Sequence, residues 1–236
     1  MKKVGIMQPY FLPYLGYFQL INSVDEFIIY DNIEYTKKGW INRNRYLSEG
    51  VDKYMTLNLK KASDYEWVCN RELSSEFDRR KMLRQLNTSY RKAPYYEQIS
   101  LLIESIIMFE DNNLFKYVYN SVESICKFLG VDTNIIISSS VECNHNLKGE
   151  ERVIDICKNR GAKMYINAIG GMELYHNVAF EKENIELRFI KNHLREYTQF
   201  GGEFIPALSI LDVMMFNPIE NVKRMLDDFE LIRGER

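Results

Sequence analysis

Val4-Gly5-Ile6-Met7-Gln8-Pro9 and Glu26-Phe27-Ile28-Ile29-Tyr30-Asp31-Asn32 enclose a segment whose apolar residues recur at Leu15, Phe18, Leu20, Ile21 and Val24. The first run reads as a short buried strand, Val4–Met7, stopped by Gln8-Pro9. The middle segment has helical spacing over Leu15–Val24. The last run, Glu26–Tyr30, is a second strand stopped at Asp31-Asn32. Strand, helix and strand within about 30 residues make one βαβ unit. Such a unit predicts parallel strands, with ligands at their carboxyl ends.

The rest of the chain extends the pattern. Lys53–Leu59 alternates Tyr54, Thr56 and Asn58 with Met55, Leu57 and Leu59, as a half-buried strand does. From Asp78 to Leu129 the periodicity is helical, broken at Ala93-Pro94 and Asp111-Asn112-Asn113, which predicts three helices with Gly130 as a cap. Strands are expected at Asn134–Ile137, Met164–Asn167 and Glu186–Ile190. Helices are expected at Gly149–Arg160, capped by Gly161, and at Ala207–Phe216 and Ile219–Leu231, separated by Asn217-Pro218. The fold class is therefore α/β, a Rossmann-like, mostly parallel sheet. The domain reading is a single unit over 1–236 with a helical insertion at about 70–130.

Composition supports a globular chain. It has 236 residues, 46% hydrophobic and 27% charged, with 31 basic against 33 acidic residues and a net charge of −2. No basic surplus points to nucleic acid. The apolar run after Met1-Lys2-Lys3 is cut at Gln8-Pro9 and again at Pro13, too soon for a signal peptide. No stretch reaches the length of a membrane span. A cytoplasmic location is expected, with self-association left open. Cys69, Cys126, Cys143 and Cys157 are widely spaced, as in a reduced protein. Cys143 and His145 are a two-ligand hint only, and no metal site is expected.

Two stretches carry the expected chemistry. In Met7–Tyr17, two prolines stiffen the turn after the first strand, Gly16 permits close approach, and Tyr10, Phe11, Tyr14 and Tyr17 crowd together. Gln8 is a polar residue at a strand's carboxyl end, and the helix start suits an anion. The plain alternative is an aromatic turn that only packs. The second stretch, Lys37-Lys38-Gly39-Trp40-Ile41-Asn42-Arg43-Asn44-Arg45, follows Asp31 and concentrates cations, amides and an indole. Arg43 and Arg45 suit a phosphate or carboxylate, Trp40 a base or sugar ring, and Asn42 and Asn44 hydroxyls. The alternative is a solvated basic loop.

Weaker features follow. Lys148 and Arg152 stand near Ser138-Ser139-Ser140, and either hold an anion or belong to an ordinary helix start whose Glu150 and Glu151 complement the dipole. Tyr165-Ile166-Asn167 runs into Gly170-Gly171, as at a ligand-facing strand end. Asp212, among apolar neighbours, is expected to pair with an arginine.

The tetrad Tyr14-Leu15-Gly16-Tyr17 resembles the signature turn of the HIGH-type nucleotidyltransferase superfamily, with tyrosines at both histidine positions. More extensively, the chain resembles the WbqC-like protein family. That resemblance is carried by Met7-Gln8-Pro9-Tyr10-Phe11, Pro13–Ile21, Gly39-Trp40-Ile41-Asn42-Arg43-Asn44-Arg45, Tyr90-Arg91-Lys92-Ala93-Pro94-Tyr95, Lys148-Gly149, Tyr165-Ile166-Asn167 and Leu208-Ser209-Ile210-Leu211-Asp212.

Members of this family are typically encoded among bacterial genes for O-antigen and other surface polysaccharides. The resemblance implies work on an activated sugar, leaning to attachment of an amino acid such as glycine to an amino sugar. Pantothenate synthetase, in the first superfamily, offers the analogy of an ATP-activated carboxylate passed to an amine. ATP is then the expected cofactor, and a sugar nucleotide and a small carboxylic or amino acid the expected partners. Gln8, Lys38 and Arg43 are the expected catalytic side chains. Tyr10, Tyr14, Gly16, Tyr17, Asp31, Trp40, Asn42, Asn44, Arg45, Lys148, Arg152, Asn167, Gly170 and Gly171 are the expected substrate contacts. A transferase using a pre-activated donor, and a non-catalytic binding or scaffold protein, are the competing readings.

Overall fold

The computed structural model describes residues 1–63 and 65–234. Its centre is a six-stranded sheet, built from β1 (Lys3–Met7), β2 (Glu26–Ile29), β5 (Asn134–Ile137), β6 (Met164–Ala168), β7 (Glu186–Asn192) and β8 (Phe229–Ile232) in the order β5-β2-β1-β6-β7-β8. All neighbours run parallel except β7 and β8. Val4 pairs with Glu26 on one side of β1 and with Tyr165 on the other. The chain thus starts in the middle of the sheet, builds outward through β2 and β5, then returns to build the other way from β6. This is a Rossmann-like order, with its reversal between β1 and β6.

Successive residues of a strand face opposite sides. Phe27 and Ile29 therefore join one core, with Leu15, Phe18 and Ile21 of α1 (Leu15–Asn22), while Ile28 joins a second core with Val4 and Ile6. The second core is covered by α5 (Gly149–Asn159) and α6 (Asn177–Glu181), through Val153, Ile156, Cys157 and Phe180. The first core continues into α2 (Arg79–Tyr90), α3 (Tyr96–Ile107) and α4 (Leu114–Leu129), and into α7 (Ile210–Phe216) and α8 (Ile219–Met225). The three helices break where Ala93-Pro94 and Asp111–Asn113 place the breaks. Asp78 caps α2 by accepting from the Lys81 N–H at 2.8 Å, and Gly130, at φ 71°, ends α4.

One strand has no counterpart in the sequence reading, and two expected helices need correction. Arg43–Ser48 is a strand, β3, paired antiparallel with β4 (Val51–Thr56) in a separate two-stranded sheet. Its sequence, Arg-Asn-Arg-Tyr-Leu-Ser, lacks clean alternation because both faces are largely covered. The helix expected over Ile219–Leu231 stops at Met225. The last strand then pairs Phe229 with Asn192 and Ile232 with Phe189. The helix expected from Ala207 begins at Ile210, and the Ser209 side chain caps it.

Asp212 is a further correction. It is fully buried, yet among the described residues no arginine reaches it. Tyr90 Oη donates to one carboxylate oxygen at 2.9 Å, while Tyr197 Oη and Gln199 Nε2 each donate to the other at 2.7 Å. Neutral donors from α2 and from the segment before α7 hold the carboxylate, and burial raises its pKa against their pull.

All four cysteines are free. Burial pushes the Cys126 thiol up to about 12. Cys143 lies beside His145, with Sγ 3.6 Å from Nδ1, and among the described residues no third ligand joins them as a metal site. No described helix is long and apolar enough to cross a membrane.

Candidate functional site

A cavity of about 560 Å³ opens at the carboxyl ends of β1, β2 and β6, where the strand order reverses. Open α/β sheets bind ligands at this position because the loops diverge there and leave a crevice. Ile6, Met7, Gln8, Tyr10, Pro13 and Tyr14 enter from β1 and its turn, and Tyr30 and Ile33 from beyond β2. Asn167, Ala168, Gly170, Gly171, Leu174 and Tyr175 follow β6. Trp40, Asn44, Arg45 and Ala207 close the remaining wall.

The polar groups on this wall divide sharply. Among the described residues the Gln8 carboxamide and the Tyr10 and Tyr30 hydroxyls have no hydrogen-bond partner. Burial raises the pKa of Tyr10, Tyr14, Tyr30 and Tyr175. These hydroxyls are therefore neutral donor–acceptor groups near pH 7. The interior is aromatic and amide-rich, a surface that suits a hydroxylated or heteroaromatic ligand.

The Asn42–Arg45 stretch behaves differently. Asn42 is buried away from the cavity, donating to the Leu57 carbonyl at 2.9 Å and accepting from Tyr35 Oη at 2.8 Å. The next three side chains each hold a loop by its carbonyls. Arg43 Nε donates to Gly39 O at 3.1 Å and Nη2 to Lys38 O. Asn44 Nδ2 donates to Phe11 O at 3.1 Å and Leu12 O at 2.9 Å. Arg45 Nη2 donates to Pro206 O at 3.2 Å and Ala207 O at 3.3 Å, and Nη1 pairs with Asp52 at 3.1 Å. Lys38, Leu12 and Ala207 are the three of these carbonyl residues with left-handed backbone, at φ 60°, 43° and 53°. Non-glycine residues in that region cost about 1–3 kcal/mol each and need surrounding contacts to hold them. The stretch is thus a clamp on three strained loops, which reach the cavity at Ala207, beside Pro13 and at Trp40.

The structure brings together Gln8, Tyr10, Tyr14, Trp40, Asn44, Arg45, Asn167, Gly170 and Gly171 as cavity lining. It separates the other expected site residues from the cavity. Lys38 and Arg43, expected as catalytic side chains, stand outside the lining. Tyr17 is buried, and its hydroxyl donates to the Gln8 carbonyl at 2.8 Å, steadying the strand end. Gly16 sits behind Tyr14: a Cβ there would lie 2.4 Å from the Tyr14 ring and 2.8 Å from Asn192 Cγ. Asp31 is buried and accepts from Ser138 Oγ and the Ser139 N–H, both at 2.9 Å, joining the ends of β2 and β5. Arg152 is buried one layer back. It donates to the Asn32 carbonyl at 3.2 Å and to the Asn32 side chain, and lies 4.8 Å over the Tyr30 ring. Lys148 is exposed at the start of α5, off the cavity.

Sequence reasoning missed Tyr30, Tyr175 and Ala207. Tyr30 carried a usable signal, since it ends the second strand as Gln8 follows the first. Ala207 carried none, because its place depends on a loop that returns from far along the chain.

Fold and cavity together define a class: an α/β protein with a Rossmann-like sheet and a ligand-sized cavity at its switch point. The comparisons give the family. The model of the WbqC-like protein family matches residues 8–224, and this chain belongs to that family. The chain is similar to a Mycobacterium tuberculosis (strain ATCC 25618 / H37Rv) protein named "Uncharacterized protein Rv1507c", at 31% identity over 220 residues, covering 92% of this chain and 94% of that one. No solved structure matches.

Proposed function

We propose that the cavity takes a nucleotide-linked amino sugar and that the protein acylates the sugar's amine. The acyl group would be an amino acid such as glycine, joined in an ATP-dependent ligation within surface-polysaccharide biosynthesis. The observation that carries this reading is the set of unpaired Gln8, Tyr10 and Tyr30 polar groups inside an aromatic cavity at the switch point. Amide and hydroxyl groups read sugar hydroxyls, and aromatic walls cover the apolar faces of rings.

In the chemistry this implies, a carboxylate oxygen attacks the α-phosphorus of ATP and pyrophosphate leaves. The sugar amine then attacks the acyl carbon, AMP leaves, and the amine proton passes to solvent. Gln8, Tyr10 and Asn167 would bind and orient the sugar, and the protein would act by positioning the reactants. The reading places the protein in the cytoplasm with its nucleotide substrates.

One observation favours a second reading, a sugar-nucleotide-binding protein without chemistry. Among the described residues the ionisable side chains lining the cavity are tyrosines and Arg45, a set that binds better than it transfers protons near pH 7. The test is incubation of purified protein with ATP, glycine and a dTDP-amino sugar. The ligase predicts AMP release and a mass gain on the sugar. Neither product across a panel of acids overturns it. Thermal stabilisation by sugar nucleotide alone then supports the binding protein, and its absence overturns both.

A further inference from the structure

Trp40 is 38% exposed at the cavity wall, and its ring packs on Tyr54 of β4 with centroids 6.4 Å apart and planes 22° apart. Tyr54 is itself 54% exposed and does not line the cavity. The Arg43 guanidinium lies 4.8 Å over the Tyr54 ring. A half-exposed indole is ordinarily a mobile group. The backbone that carries this one is held: Phe11 N–H donates to the Trp40 carbonyl at 3.0 Å, Gly39 N–H to Thr36 O at 3.3 Å, and Arg43 to the Lys38 and Gly39 carbonyls, while the ring itself packs on Tyr54. A rigid flat wall therefore stands beside a cavity whose deeper groups are amides and hydroxyls.

We propose that Trp40 is a stacking subsite for a nucleobase, and that Tyr54 and Arg43 are positioning residues that hold the indole for it. The inference rests on the sugar-nucleotide reading and divides that ligand: sugar inside against Gln8 and Tyr10, base on Trp40. The division follows from the chemistry of the walls. The ring packed on the indole is Tyr54, and the Arg43, Asn44 and Arg45 side chains of this wall donate to backbone carbonyls, so this end of the site offers a π-face more than a set of hydroxyl-reading groups. Every nucleobase presents such a face, and stacking on aromatic side chains is tolerant of base identity.

The chain holds two tryptophans, so Trp67→Phe leaves Trp40 as the sole indole, which is excited selectively at wavelengths where tyrosine does not absorb. In that background, fluorescence and calorimetry follow titration with dTDP, a dTDP-sugar and the free amino sugar. Quenching of Trp40 by both nucleotides and not by the free sugar is expected. Tyr54→Phe should keep the affinity. Tyr54→Ala, at an exposed site whose loss a thermal melt can show to be harmless, should weaken nucleotide binding roughly tenfold and lower the anisotropy of ligand-free Trp40. Arg43→Ala should move both in the same direction by less. Binding heat from dTDP without quenching overturns the subsite and leaves the sugar-nucleotide reading standing. Equal affinity in Tyr54→Phe and Tyr54→Ala overturns the buttress. Neither heat nor quenching from any nucleotide overturns the sugar-nucleotide reading itself, and the subsite with it.

Discussion

Two polar stretches stand around the same cavity and do opposite things. Asn42–Arg45 is the richer in charge and amide groups, yet apart from the Arg45 Nε, which is buried without a partner among the described residues, its side chains are engaged chiefly with backbone carbonyls of the protein. The turn after β1 and the end of β2 offer fewer polar groups, but Gln8, Tyr10 and Tyr30 are left unpaired toward the cavity among the described residues. The difference teaches that density of polar residues marks a place where structure is demanding. Unpaired polar groups on a concave wall mark where a ligand is wanted. A clamp and a binding surface can look alike in composition, and only the hydrogen-bond partners separate them.

The comparison breaks most visibly at Asn44. Asn44→Ala leaves the Phe11 and Leu12 carbonyls and the Arg45 N–H without their buried partner, and lets a strained loop relax. A loss of about 3 kcal/mol is expected in urea denaturation. A variant within about 0.5 kcal/mol of the parent would show that the stretch is no clamp. Gly16→Ala tests the wall from behind, since its methyl group would push on the Tyr14 ring. About 2 kcal/mol of destabilisation is expected from overpacking, with weaker sugar-nucleotide binding, and a stability equal to the parent's would count against this packing.

Gln8→Ala sharpens the other side. With no partner lost inside the protein, its stability should stay within about 0.5 kcal/mol while sugar-nucleotide affinity falls about tenfold in calorimetry. The reverse pattern, stability lost and affinity kept, would make Gln8 part of the scaffold.

The smallest effect is a slope against pH. Burial lifts the Asp212 carboxyl above its ordinary range, its three donors pulling the other way. A carboxyl whose folded pKa is raised favours the folded state most while protonated. The parent should therefore lose some stability as pH rises from about 4, the unfolded aspartate value, through the raised folded value. Asp212→Asn has no proton to lose and should lack this component. Glu26, whose pKa is lowered by Arg160 and Lys2, contributes the opposite slope at lower pH in both proteins, because its stabilisation is lost as pH falls. Parallel stability–pH curves for parent and variant would refute the Asp212 assignment.

Much of the fold was legible because its signals are local. The apolar run of β1, the spacing of α1, and the breaks at Ala93-Pro94 and Asp111–Asn113 all operate within a few residues. β3 and β8 were not legible in the same way. Each is a short strand made by pairing with a partner, β4 or β7, and Phe229–Ile232 follows a true helix closely enough to be read as its continuation. The site was half legible. Strand ends pointed to Gln8 and Asn167, while charge density pointed to Arg43 and Lys38, which stand outside the cavity.

By itself the sequence determined a βαβ beginning, a helical stretch at 78–129 and a polar motif near the strand ends, since periodicity, caps and turn residues act through neighbours along the chain. The tertiary structure alone decided which polar groups that motif satisfies and which the cavity leaves open. The carbonyls that occupy Arg45 belong to Pro206 and Ala207, and the donors on Asp212 come from Tyr90, Tyr197 and Gln199. Hydrogen-bond partners so far apart in sequence are chosen only when folding brings the segments together, and that choice is what separates a clamp from a binding site.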